Sequence, residues 1–231
     1  MMSLTPFQER YDRVLEQLVA SPLVSVEHQE SREDVHGGAG ADVVFAKLAD
    51  NHGLHLDDAF RGLYFTSGQL HVVWRLTADS TRGGELCLQN LTEWAVKGWF
   101  PDDWTLPPEE YAALADLYTI DYEPHAGSGS VAAISVPEAR PLSVGMDSAI
   151  WYYDAGDHWL GQMDVDYAGY LEAALLTVGA HGWQYLFTDV NLRGEVPYSG
   201  VAGLEHCLTV LPEIFPGHDY EPLRRRFDAR L

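Results

Sequence analysis

Apolar residues recur at helical spacing from the start of the chain. Thr5-Pro6 is an N-cap followed by a proline in the first turn, and Phe7, Tyr11, Val14, Leu15 and Leu18 then share one face. Ser21-Pro22 closes this segment, so a helix is expected over 5–20. Residues 23–41 begin apolar and then turn polar and glycine-rich through His36-Gly-Gly-Ala-Gly40, which reads as a loop. Asp42 is placed to cap a second helix over 42–52, with Val43, Val44, Lys47 and Leu48 inward and Gly53 as its terminator. Asp57 to Tyr64 reads as a short third helix.

The period then changes. Leu70, Val72 and Trp74 alternate with His71, Val73 and Arg75, which is strand spacing with one face well buried. Thr77 to Gly84 is a turn, and Glu85 to Leu91 is the return strand of a hairpin. Trp94, Trp99, Phe100 and Trp104 fall in a loop broken by Pro101, Pro107 and Pro108. Pro108 opens a helix carrying Tyr111, Leu114, Leu117 and Tyr118 on one face. Pro124 to Ser130 is a Gly/Ser loop. Leu142–Met146, Ile150–Asp154 and Trp159–Met163 are short apolar strands separated by Asp/Gly turns. Asp164 or Asp166 caps a helix over 166–179 ending at Gly179, and Trp183, Tyr185, Leu186 and Phe187 cluster after it. Ser199 is placed to cap a last long helix, with Pro212, Pro216 and Pro222 punctuating the C-terminus.

Helices, then strands with hairpin spacing, then helices indicate an α+β fold with a mostly antiparallel sheet of about five to six strands covered by helices. The length of 231 residues and the lack of any internal repeat or linker fit a single domain over 1–231 with a C-terminal helical extension.

Charge narrows the partners. The formal net charge is −21, which repels phosphates and argues against nucleic acid and anionic membranes while permitting a basic partner. Four of the arginines lie between Glu221 and Leu231, and this short basic tail is expected to fold back on the acidic body. Cys87 and Cys207 make no disulfide framework, the first ten residues lack the apolar run of a signal peptide, and no segment reaches the roughly 18 apolar residues of a membrane helix. A cytoplasmic location is expected.

The candidate chemistry is sparse. His52 and His55 stand near Asp57 and Asp58, but two histidines flanking a helix-ending glycine are the ordinary partners of a helix C-terminus, and no third ligand cluster is near. Asp154, Asp157, Asp164 and Asp166 lie in turns and at a helix start, without the glycine-centred loop and distal glutamate of a calcium site. Gly127-Ser-Gly-Ser130 lacks both the nucleophile-elbow pattern and the lysine of a phosphate loop. No metal and no cofactor is expected. The aromatic residues set among acids are what a protein-recognition surface contains, with anchors at the centre and charge at the rim.

Two stretches resemble a known family. The first is Leu48-Ala-Asp-Asn-His-Gly-Leu-His-Leu-Asp-Asp-Ala-Phe-Arg-Gly-Leu-Tyr-Phe-Thr-Ser-Gly68, running into the Trp-bearing strand 69–76. The second is Asp164-Val-Asp-Tyr167-Ala-Gly-Tyr170-Leu171-Glu-Ala-Ala-Leu175-Leu176, after a strand pair. In this order they resemble the SUKH superfamily of fungal cell-wall-synthesis regulators and bacterial immunity proteins of polymorphic toxin systems. The chain departs from that pattern at Leu56, where proline is usual, and at Thr66-Ser67-Gly68, where Asn-Gly is usual. It also carries added sequence around 95–135 and after 180.

The resemblance implies a non-enzymatic protein-binding module, an immunity or regulatory protein that occludes a basic partner such as a toxin domain. Asp57, Asp58, Trp99, Asp102, Asp103 and Trp104 are the expected partner-binding residues. The competing expectation is a small hydrolase or ligand-binding enzyme using Asp and His residues in a cleft, for example near Asp154 and His158.

Overall fold

The computed structural model describes residues 5–33, 36–90, 116–136, 142–194 and 198–231. Helix α1 (Pro6–Ala20) begins where Thr5 accepts the Gln8 amide and Pro6 occupies the first turn, and it buries Phe7, Tyr11, Leu15 and Leu18. Strand β1 (Val24–Glu33) follows, then α2 (Ala41–His52), which ends at left-handed Gly53. Gly40, not Asp42, takes the N-cap position of α2, and Asp42 lies in its first turn. A three-residue strand β2 (Leu54–Leu56) leads into a short 3-10 helix (Asp58–Gly62) capped by Asp57.

The hairpin appears where the alternation placed it. Strand β3 (Ser67–Leu76) pairs antiparallel with β4 (Gly83–Gln89), from Gln69 opposite Gln89 to Arg75 opposite Gly83. Strands β5 (Leu117–Tyr122), β6 (Val131–Ser135), β7 (Leu142–Val144), β8 (Ile150–Asp154) and β9 (Trp159–Gln162) follow. The chain ends with α3 (Tyr167–Thr177), a 3-10 helix (Trp183–Phe187), α4 (Tyr198–Ile214) and α5 (Glu221–Arg230). The main sheet has seven strands, ordered β1-β3-β4-β5-β6-β8-β9, all neighbours antiparallel; β2 and β7 form a separate parallel pair. This is an α+β fold built on an open antiparallel sheet.

Three local expectations are corrected. Residues 24–33 are an edge strand rather than a loop, because their backbone pairs along the whole of β3 even though their side chains turn polar. Leu117 and Tyr118 open strand β5 rather than continuing a helix; residues 108–115 of that expected helix lie outside the described residues. Ser199 lies inside α4, so it is not the residue that precedes it. Among the described residues no helix is long and apolar enough to cross a membrane.

The helices cover one face of the sheet. Trp74 and Tyr170 are fully buried there, and the Trp74 indole N–H donates to the Val178 carbonyl at 2.7 Å, satisfying a backbone acceptor at the end of α3. Gly179 follows with φ +66°, and its carbonyl accepts the Glu85 amide at 2.8 Å, tying the helix end to β4. A Cβ on Gly179 would stand 2.1 Å from the Glu85 carbonyl oxygen, so backbone meets backbone and neither can yield. Gly179→Ala is therefore expected to cost about 2–3 kcal/mol, from left-handed strain plus overpacking. Urea denaturation checks this, and a loss below about 0.5 kcal/mol would show that the contact relaxes freely.

The basic tail folds back as expected. Arg226 bonds both oxygens of Asp164 at 2.7 and 2.8 Å, and its guanidinium lies 4.4 Å from the Phe187 ring centre.

Candidate functional site

Alternation in β3 sends Leu70, Val72 and Trp74 into the helical core and His71, Val73 and Arg75 to the opposite face. On that opposite face a polar network crosses four segments. His71 Nε2 lies 2.8 Å from Oε1 of Glu85, a fully buried carboxylate on β4. Glu85 also accepts the backbone N–H groups of His125 and Ala126 at 2.8 and 2.7 Å, so it clamps the loop after β5 onto the sheet. Burial alone raises the Glu85 pKa, but the His71 bond and the two backbone donors outweigh it and hold the group below the ordinary glutamate value. The ring of His28, from β1, stands 4.6 Å from His71 and 5.2 Å from His125, centre to centre. Glu30 Oε2 is 3.5 Å from His28 Nε2.

A fourth histidine, His181, is held nearby. Arg75 Nη1 lies 2.7 Å from His181 Nε2, and since an arginine only donates, this nitrogen accepts. The neutral ring then carries its proton on Nδ1, which faces Glu123 Oε1 at 3.4 Å. Glu123 is itself buried and accepts the Ser128 hydroxyl at 2.9 Å. Glu123, Ser130, Tyr152, Asp154, His181 and Tyr185 line a cavity of about 280 Å³. Asp154 accepts the Tyr185 hydroxyl and the Gly156 and Asp157 amides, so both its oxygens are occupied.

The chain matches no family model, no curated protein and no solved structure.

The expected partner-binding residues are only partly within the described region. Asp57 and Asp58 are exposed, and both have local work: Asp57 accepts the Ala59 amide at 2.8 Å, and Asp58 holds Arg61 at 3.0 Å. Arg61 also pairs with Asp42 and lies 5.0 Å from the Phe45 ring centre. Trp99, Asp102, Asp103 and Trp104 lie outside the described residues. His52 and His55 are both exposed, on α2 and β2. Of the pair expected near a cleft, Asp154 lines the cavity, while His158 occupies the β8–β9 turn with φ +50° and is not among the cavity residues.

Sequence reasoning missed His28, His71, Glu85 and His125. They come from four segments, and each looks unremarkable in its own. The usable signal was parity: His71 and Arg75 share a face opposite Trp74, so a polar patch had to exist on the far side of the sheet.

One further buried acid stands apart from this face. A register irregularity between Thr119 and Asp121 lets Asp121 aim into the helical core. There it accepts the Tyr170 hydroxyl at 2.7 Å and the Cys87 amide at 2.9 Å. Burial pushes its pKa up to about 7 despite those two donors.

Proposed function

We propose that the chain is a SUKH-like protein-binding module, an immunity or regulatory protein that docks on a basic partner, such as a toxin domain, and occludes its active surface. The observation that carries this reading is where the charge is spent. Arg10, Arg61, Arg75, Arg82, Arg225 and Arg226 each hold a carboxylate of the same chain. Six of the fourteen lysines and arginines are thus neutralised within the chain, and a formal charge of −21 leaves a wide surplus of carboxylates for a partner. Such a field speeds encounter with a basic surface, toward about 10⁸ M⁻¹s⁻¹ at low salt. The order of short helix, hairpin, strand pair and helix is also that of the resemblance.

The proposed face carries Asp57 and Asp58, with Trp99, Asp102, Asp103 and Trp104 as its aromatic and acidic remainder. The test is coexpression with toxin-domain proteins encoded beside the gene, followed by surface plasmon resonance on the complex that forms. Growth rescue, a stoichiometric complex and an association rate that falls with salt are expected. Trp99→Ala or Trp104→Ala is expected to raise the dissociation rate, costing about 2 kcal/mol or more. Absence of rescue and of binding defeats the module reading. Salt-independent association with both Trp variants normal moves the face elsewhere.

A second reading is favoured by the cavity. Glu123, Asp154 and His181 around about 280 Å³ of space fit a small-ligand or hydrolase site. A hydrolase screen on the purified chain, repeated with Glu123→Gln and His181→Ala, separates the two readings.

A further inference from the structure

We propose that His28, Glu30 and His71 form a binding site for one divalent transition-metal ion of the zinc class, at the β1 edge of the main sheet. One coordinating atom from each of these three residues lies within 4.8 Å of the others. Two imidazoles and a carboxylate are a borderline donor set, suited to zinc, cobalt, nickel or copper and poor for calcium or magnesium, which take mainly oxygen ligands. Two imidazoles bound tetrahedrally at about 2.0–2.1 Å place their ring centres roughly 5 Å apart. The observed separations are 4.6 Å for His28–His71 and 5.2 Å for His28–His125. Ligand atoms of a tetrahedral ion stand about 3.4 Å apart, so the three side chains, now within 4.8 Å of one another, close by about an ångström on binding. His125, exposed in the loop after β5, stands 5.2 Å from His28 and 6.2 Å from His71 between ring centres, outside this set of three.

Two independent features of the fold support this assignment. The first is the bulge in β1. Val24 and Val26 pair with Leu76 and Trp74, on the core side. The register then shifts between Val26 and His28, so that His28 faces Val73 and Glu30 faces His71. In an unbroken ladder His28 would oppose Val72 and point to the helical side. The bulge re-aims His28 and Glu30 onto the face that carries His71, as bulges do beside functional sites. The second feature is Glu85. A carboxylate that takes one ring proton of a ligating histidine fixes its tautomer and orientation, and leaves the lone pair on the other nitrogen. Glu85 is fully buried and held by two backbone donors, so it is a rigid anchor for the His71 ring. The three side chains grade from half-exposed Glu30 through His28 to buried His71, which gives an ion a path from solvent.

The test uses the whole chain, stripped with a chelator and titrated with Co²⁺, whose visible absorption reports four-coordinate binding, followed by competition with Zn²⁺. One Co²⁺ per chain, displaced by Zn²⁺, is expected. His28→Ala and Glu30→Gln alter partly exposed side chains and should leave the fold intact by circular dichroism. Each is expected to weaken Co²⁺ binding by about tenfold or more. His52→Ala, on the exposed end of α2, is expected to leave it unchanged. Absence of stoichiometric binding by Co²⁺ and Zn²⁺ overturns the assignment. So does stoichiometric binding that survives both His28→Ala and Glu30→Gln.

Discussion

Trp74→Ala is expected to lower the unfolding free energy by about 3–5 kcal/mol. The side chain has no exposed surface and lies on the core face of β3, across the ladder from Val26 on one side and Gly84 on the other. Gly84 has no side chain because a Cβ there would stand 2.5 Å from the Gly179 carbonyl oxygen, so nothing on β4 can swell to refill the space. Truncation therefore leaves a cavity, and it also leaves the Val178 carbonyl without the indole N–H it accepts at 2.7 Å. Trp74→Phe keeps most of the volume and loses the bond, so about 1–2 kcal/mol is expected for it. Urea denaturation followed by far-ultraviolet circular dichroism measures both. A loss under about 1 kcal/mol for the alanine variant would mean that the site collapses freely, against the packing described.

Asp121→Asn is expected to stabilise the protein at pH 8 and to flatten its pH profile. Asp121 is fully enclosed, and burial raises its pKa to about 7, against about 3.9 in the unfolded chain. Below about pH 3.9 the group is protonated in both states and adds no pH-dependent cost. Between that value and about 7 the unfolded chain has released the proton while the native state keeps it. The native state then binds more protons, so stability falls as pH rises. Above about 7 the full cost is incurred, of order 4 kcal/mol for a shift of about three pH units. Asparagine carries no charge and still offers an oxygen to the Cys87 amide. Its amide N–H can donate to the Tyr170 oxygen, whose own hydroxyl now donates to Asp121. Urea midpoints of wild type and variant at pH 5 and pH 8 are the measurement. About 1.5 kcal/mol of that cost is already present at pH 5, so the variant should gain on wild type by about 2.5 kcal/mol between pH 5 and pH 8, and parallel profiles would remove the buried-acid account.

Much of the fold was legible because several elements carry a self-contained signal. The Thr5-Pro6 cap, the period of Phe7, Tyr11, Leu15 and Leu18, and the Asp166 cap of α3 are local chemistry, and the structure has them where the pattern put them. The alternation around Trp74 marked β3 and its hairpin partner. Strand β1 failed for a definite reason. Its even-numbered residues run Val24, Val26, His28, Glu30, Arg32, which looks like an apolar face dissolving into a polar loop. The bulge after Val26 changes which parity faces the core, so no single period describes the strand. Strand β2 is three residues long and pairs with a strand far along the chain, Leu54 opposite Leu142, and no local pattern announces such a contact.

The sequence by itself determined the α+β class, the Thr5 and Asp166 caps, the hairpin, the acidic field and the fold-back of the arginine tail. Each depends on residues close together in the chain or on a sum over all of it. Only the tertiary structure decided what meets on the face of the sheet opposite the helical core. His28, His71, Glu85 and His125 are brought together by strand pairing, a bulge and a loop clamped by one carboxylate. Asp121 likewise became a buried acid only because a register shift turned it inward against Tyr170. Side-chain chemistry is written in the sequence, but its neighbours are set by register. A shift of one residue sends a side chain to the other face of the sheet.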